Sequence, residues 1–212
     1  MKITRVTPWL IHADIAYNFG RRGTYLFVEV NTDEGITGWG EVTTTYPVAN
    51  RAVCAMIQQL NDLIVGDDPT EIERIWHKTF RAFTFMGSRG ASTNAISGVD
   101  IALWDIRGKM LGEPIYKLLG GKVRQKVRAI ALGVGGDTPE ACAESAKKVK
   151  DQGFTALKFT PMSKNWPDQR YGSMIKLGTE MVEAVREAVG WDFDIGVEIH
   201  RNMKPAEAVV FA

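Results

Sequence analysis

Cysteine is scarce in this chain of 212 residues, with Cys54 and Cys142 alone, and histidine numbers only three. Neither thiol lies near another cysteine or a histidine at zinc-ligand spacing, so a disulfide scaffold and a zinc site are both excluded. Two structural thiols in a reducing cytoplasm are expected. Long apolar runs are also missing. None approaches the ~20 residues of a membrane span, and the opening Met1-Lys-Ile-Thr-Arg5 leads into no signal-peptide core. A net charge of +1 gives no reason to expect nucleic acid or an anionic membrane as a partner. Several catalytic signatures are absent too. Gly133-Val-Gly-Gly136 fails as a dinucleotide fingerprint because Thr138 stands where the third glycine belongs. Gly120-Gly-Lys122 is no phosphate-binding loop, since Tyr116 and Val123 replace its glycine and its hydroxyl. There is no G-x-S-x-G and no H-E-x-x-H. His12, at a strand end, and His77, inside an amphipathic stripe, read as structural.

What is present is ordinary globular composition, 45% hydrophobic and 24% charged, with two successive grammars. Residues 2–12, with Ile3, Val6, Trp9 and Ile11, read as a strand. The polar, aromatic, glycine-punctuated stretch from Asp14 to Gly23 reads as a loop. Tyr25 to Asn31 alternates as a strand, Thr32-Asp-Glu-Gly35 turns, and Ile36 to Thr43 returns as the hairpin partner. Helical stripes follow: Val53, Met56, Ile57, Leu60 and Ile64; then Ile72, Ile75, Trp76, Thr79 and Phe83; then Ile96, Val99, Leu103, Ile106 and Met110, stopped by Gly112 and Pro114. These stripes are explained as core faces.

From about Lys126 strands and helices alternate. Val127–Leu132 is a predicted strand, and Thr138 with Pro139 forms a helix start. Phe154–Thr160 is the next strand, Met174 to Val189 a helix, 192–200 a strand, and Lys204-Pro205 opens a further helix. Such alternation means βαβ units on a parallel sheet. A boundary near Gly120-Gly-Lys122 divides the chain into 1–122 and 123–212. The second part has room for about three βα units at ~30 residues each, whereas a complete βα barrel takes ~250 residues. The chain also stops within a predicted helix, and is expected to be truncated.

The most chemically loaded stretch is Asp192-Phe-Asp-Ile-Gly-Val-Glu-Ile-His200. Ile195, Val197 and Ile199 suit a strand covered by helices. Glu198 and His200 stand two apart, so on a strand they project to the same side. A carboxylate beside an imidazole at the C-terminal end of a strand is where a barrel enzyme keeps its chemistry; the bland alternative is a pair that only caps the strand.

Three phrases carry a resemblance: Glu34-Gly-Ile-Thr-Gly-Trp-Gly-Glu41, Ala95-Ile-Ser-Gly-Val-Asp-Ile-Ala-Leu-Trp-Asp-Ile-Arg-Gly-Lys109 and Pro114-Ile-Tyr-Lys-Leu-Leu-Gly-Gly121. With the order of elements, they resemble the enolase superfamily, in its mandelate racemase and acid-sugar dehydratase branch, of which this chain matches the N-terminal portion. The resemblance implies an α+β capping domain, a three-stranded antiparallel sheet plus helices, followed by the first three βα units of a TIM-type barrel. It implies Mg²⁺ as cofactor, with Glu198 as a metal ligand where the family more commonly has Asp. His200 matches the general acid of galactonate-type dehydratases. Lys158 matches the first lysine of the Lys-x-Lys of related racemases, but Thr160 replaces the second, which serves there as a base. Cap loops are implied to read the substrate, with Tyr17, Asn18, Arg21 and Arg22 in one and Thr44, Thr45 and Tyr46 in another; Thr160 is a further substrate-binding candidate.

The expectation is therefore a Mg²⁺-dependent, cytoplasmic acid-sugar dehydratase, forming homo-oligomers, whose substrate is a small sugar acid. The alternatives are a racemase or cycloisomerase of the same superfamily, or a non-catalytic fragment or acid-sugar binding module. The 212-residue chain alone is expected to be inactive, since it brings one carboxylate ligand and no proton-abstracting base.

Overall fold

The computed structural model describes residues 1–17, 21–42, 47–87, 89–200 and 202–212, with the backbone alone for 13–17, 21–23, 47 and 48. It forms two compact units, Met1–Val123 and Arg124–Ala212.

In the first unit, β1 (Ile3–Tyr17), β2 (Arg21–Thr32) and β3 (Thr37–Val42) form an antiparallel sheet in that order. The expected loop at 14–23 is corrected where it is described: Ala13 pairs with Gly23, Ala16 with Arg22 and Tyr17 with Arg21, so β1 and β2 extend into it, while 18–20 lie outside the described residues. Pairing across the hairpin satisfies the backbone there and overrides the loop-like composition. The turn into β3 is locked by one hydroxyl, because Thr32 Oγ1 accepts the Ile36 N–H at 3.1 Å and donates to the Ile36 carbonyl at 2.8 Å.

One face of the sheet carries its buried apolar side chains. Ile3, Val6, Leu26, Val28, Val30 and Val42 are buried against α1 (Pro47–Ile64), α2 (Ile72–Ala82) and α3 (Ala91–Leu111), and a short α4 (Ile115–Leu118) follows. The predicted stripes supply the helical side of this core. Met110 is the exception and is exposed. Gly112 takes the left-handed conformation that ends α3.

The contact of β3 with α3 is unusually close. A Cβ on Gly40 would sit 1.9 Å from the Gly98 carbonyl oxygen, and one on Gly38 would sit 2.1 Å from that of Ala102. The glycines flanking Trp39 thus let strand and helix backbones touch. The outer edge of β3 is covered as well: Asp105 Oδ2 accepts the Trp39 N–H at 2.8 Å, and Lys109 Nζ donates to the Thr37 carbonyl at 2.7 Å. Side chains of α3 thereby occupy groups that an exposed edge strand would offer to another chain.

Asp100, half-buried on α3, has its carboxyl pushed above the ordinary 3.8, first by loss of water and then by the charge of Glu73. The folded protein holds this proton more tightly than the unfolded chain does. Stability is therefore lost as pH rises through the folded pKa. Asp100→Asn is expected to unfold at higher denaturant concentration than the parent at pH 7, and to lose that advantage at pH 3. Chemical denaturation at the two pH values checks this, and a parent at least as stable as the variant at pH 7 would contradict it.

In the second unit, β4 (Ala131–Val134), β5 (Ala156–Phe159) and β6 (Asp194–Val197) form a parallel sheet in sequence order. The intervening helices are α5 (Pro139–Asp151) and α6 (Tyr171–Val189), and α7 (Pro205–Phe211) comes after β6. The strand predicted over 127–132 lies further on, at 131–134. One cause is visible in Arg128, just before it. Its guanidinium turns toward the starts of β5 and β6, donating to Thr155 Oγ1 at 2.9 Å, to the Thr155 carbonyl at 2.6 Å and to Asp194.

Thr138 caps α5 as predicted, its Oγ1 accepting the Ala141 N–H at 3.3 Å. The C-terminus of α6 is closed by cations, the favourable charge at that end of a helix. Lys150 Nζ donates to the Val189 carbonyl at 2.8 Å, and Arg186 donates to the carbonyls of Gly190 and Phe193. Leu157, Phe159, Met181, Val185 and Phe193 are buried between sheet and helices. Cys142 shares this core and Cys54 packs on the first one; both are free, and burial raises both thiol pKa values. No helix among the described residues is long and apolar enough to cross a membrane.

Candidate active site

In a parallel sheet every strand ends at the same edge. Lys158 lies one residue before the end of β5, and Glu198 one residue past the end of β6. Leu157 and Phe159 are buried beneath the helices, so alternation sends Lys158 to the opposite face. Its direct neighbour on β6 is Gly196. A Cβ there would press on the lysine stem, 3.3 Å from its Cγ. The bare glycine therefore lets Lys158 lie across β6. Its Nζ reaches Glu198 Oε2 at 2.5 Å, and His200 Nδ1 stands 3.7 Å from Glu198 Oε1. All three side chains remain partly open to solvent, at 41%, 34% and 50% exposure for Lys158, Glu198 and His200.

The expected strand over 192–200 needs correction. β6 ends at Val197, although the Glu198 N–H still donates to the Phe159 carbonyl at 2.9 Å. His200 lies in a turn with φ of +47°, a left-handed conformation uncommon outside glycine. Glu198 and His200 do meet, but through this turn and not through strand alternation. Val197, expected under helices, is 44% exposed on the edge strand.

Thr160 directly follows β5 and is half-buried, its carbonyl accepting the Met162 N–H at 2.9 Å. The cap candidates belong to the other unit. Tyr17 ends β1 and Arg21 and Arg22 begin β2, with backbones paired in the hairpin. Asn18, Thr44, Thr45 and Tyr46 lie outside the described residues. His77 is exposed on α2 with its ring edge-on to Trp76, and His12 is exposed on β1. The structure thus brings Lys158, Glu198 and His200 together. Gly196 was missed by the sequence reading, although glycine inside a strand is itself a sign of close approach.

The model of the mandelate racemase / muconate lactonizing enzyme N-terminal domain matches residues 2–120, more than half of the chain. The chain belongs to this family. Its similarity continues past that domain: the D-galactonate dehydratase of Pectobacterium atrosepticum is 36% identical over 203 residues, covering 94% of this chain and 48% of the relative. The D-galactonate dehydratase of Xanthomonas euvesicatoria is 38% identical over 205 residues, with the same coverage. A crystal structure of a member of the enolase superfamily from Salmonella Typhimurium superposes with a TM-score of 0.84 at 38% identity, covering 99% of this chain and 57% of that one. The resemblance read from the sequence is thereby borne out. The chain spans about half the length of the curated relatives it matches.

A divalent cation, which the family resemblance implies, can be tested against the donors present. Mg²⁺ prefers hard oxygens and commonly takes one or two carboxylates, with water and substrate completing its octahedron. Glu198, a partly exposed carboxylate at the strand ends, fits one such position. Among the described residues no group of three or more His, Cys, Asp or Glu side chains is arranged to hold a metal. The fit is to one ligand.

Proposed function

We propose that this chain carries part of the active site of a Mg²⁺-dependent dehydratase acting on a sugar acid. The observation that carries the reading is the convergence of Lys158, Glu198 and His200 at the C-terminal edge of the parallel sheet, in a chain similar to proteins named D-galactonate dehydratase. The cation, held in part by Glu198, would supply Lewis-acid stabilisation of the negative charge that builds up when the α-proton leaves. Lys158 offers a point charge to the substrate carboxylate. His200 donates a proton to the departing β-hydroxyl, the general-acid role an imidazole can fill. In balance, the α C–H bond breaks with its proton passing to a base, the β C–O bond breaks, and water leaves. The enol so formed ketonises to a 2-keto-3-deoxy acid. Thr160, standing where related racemases are expected to have a basic lysine, weighs against two-base racemisation.

The product discriminates between readings. Dehydration yields a 2-keto-3-deoxy acid, whereas racemisation leaves every hydroxyl in place and exchanges only the α-proton. The 212-residue chain alone is expected to give neither, because among the described residues the strand-end site brings one carboxylate ligand and no group assigned as the α-proton base. A sugar-acid screen with Mg²⁺ checks this, and turnover by the isolated chain would contradict it. The reading includes a cytoplasmic homo-oligomer. Trp9, Ile11 and Trp39, each almost half exposed, support self-association, since clustered apolar surface marks contact sites.

A further inference from the structure

The segment joining β5 to α6, residues 160–170, is longer than the 2–6 residues usual in such connections. Its own order is built from short-range contacts. Ser163, buried, donates through Oγ to Asn165 Oδ1 at 2.7 Å, and Gln169 Nε2 donates to Ser163 Oγ at 3.0 Å. A single 3-10 turn, Trp166–Asp168, follows. None of these bonds fixes the segment to the rest of the unit.

Asp137 does. It lies in the connection from β4 to α5, at the same edge of the sheet as Lys158 and Glu198. One of its carboxylate oxygens, Oδ1, accepts the backbone N–H of Lys164 at 3.1 Å, and the other pairs with Lys164 Nζ at 3.2 Å. Its carboxyl is held below the ordinary value first by that backbone bond. On the opposite side Asn202, in the connection after β6, approaches Met162 Sδ at 3.8 Å. The thioether is a weak acceptor, so Asp137 provides the stronger of the two ties.

We propose that Asp137 is a positioning residue: by holding the Lys164 backbone N–H it fixes the β5–α6 segment as a wall beside Lys158 and Glu198. The backbone bond provides the hold. The ion pair is exposed, 90% at Lys164 and 50% at Asp137, and exposed pairs contribute little. A carboxylate bonded to a backbone N–H is the stronger arrangement. That this wall faces a sugar acid rests on the dehydratase reading; that Asp137 fixes it does not.

The two parts separate in one experiment on the 212-residue chain, millisecond hydrogen exchange at the Lys164 amide. Asp137→Ala is expected to speed that exchange about tenfold or more, since opening of the segment no longer breaks a charge-assisted bond. Asp137→Asn keeps an acceptor oxygen and is expected to restore protection to within about threefold. Lys164→Met keeps the backbone bond and removes only the ion pair, so its own amide should stay equally protected. Amides within α5 serve as the control for damage to that helix. If Asp137→Ala does not fold, Asp137→Ser, too short to reach, replaces it. Unchanged exchange in Asp137→Ala or Asp137→Ser would overturn the assignment. So would exchange in Lys164→Met as fast as in those variants, which would transfer the hold to the ion pair. No turnover is measured, so these outcomes do not depend on the chemistry proposed above.

Discussion

Gly40→Ala is expected to destabilise the first unit by about 3 kcal/mol or more, the upper range of overpacking effects. The added methyl would lie 1.9 Å from the Gly98 carbonyl oxygen and 3.0 Å from the Ala102 nitrogen. Both are backbone atoms of a helix whose other side chains fill the core, so no rotamer change relieves the clash. Gly98 cannot give way by rotating toward the sheet, because its own face lies against Val42 and Val28. The strand must lift away from α3, and Val42 and Val28 lose their contacts with that helix. Against a typical total of ~5–15 kcal/mol, the loss is large. The melting temperature should fall by roughly 10 °C or more. Gly172→Ala is the control, being in a helix with nothing within 4 Å of its missing Cβ; it should change stability by no more than about 1 kcal/mol. Urea denaturation followed by circular dichroism measures both. Equal midpoints for Gly40→Ala and the parent would show that β3 and α3 are not packed backbone to backbone.

The second large effect is on chemistry. In a polypeptide of the relatives' length, Glu198→Gln is expected to lower kcat/KM for the sugar acid by ~10³ or more. It removes the charge that both Lys158 and a cation require, and metal stabilisation is worth several kcal/mol at about 1.4 kcal/mol per tenfold. His200→Asn is expected to cost ~10²–10⁴, mostly in kcat, as loss of a general acid should. Because Glu198 and His200 are in contact, the double variant should lose less than the product of the two single losses. Steady-state kinetics decides this. A Glu198→Gln protein within tenfold of the parent would remove Glu198 from the site.

Much of this architecture was legible from periodicity. The three helical stripes, the alternation of Tyr25 to Asn31 and the Thr138-Pro139 start each rest on local sequence, and local sequence governs them. The extension of β1 to Tyr17 and of β2 back to Arg21 was not legible, because it comes from pairing Ala13 with Gly23 and Tyr17 with Arg21 between the strands. Gly98 was likewise opaque. A glycine inside a helix ordinarily only weakens it, and its reason lies on β3, more than fifty residues earlier in the chain. At the site, Lys158, Glu198 and His200 were identifiable one by one. Their meeting depends on the β5–β6 register that sets Lys158 opposite Gly196, and on a turn at His200 that strand alternation does not anticipate. Asp137 carries no motif. Its role is visible only where two connections at one sheet edge come together.

Whether Lys158, Glu198 and His200 serve a dehydratase is decided by assay of a chimera. Residues 1–212 replace the matching part of the Pectobacterium atrosepticum D-galactonate dehydratase, so that its remaining length completes the site. Formation of a 2-keto-3-deoxy acid is then followed across a sugar-acid library, with and without Mg²⁺. Mg²⁺-dependent product is expected from at least one acid, and Glu198→Gln should abolish it. A chimera that unfolds cooperatively, as a native protein does, yet forms no product from any acid would contradict this.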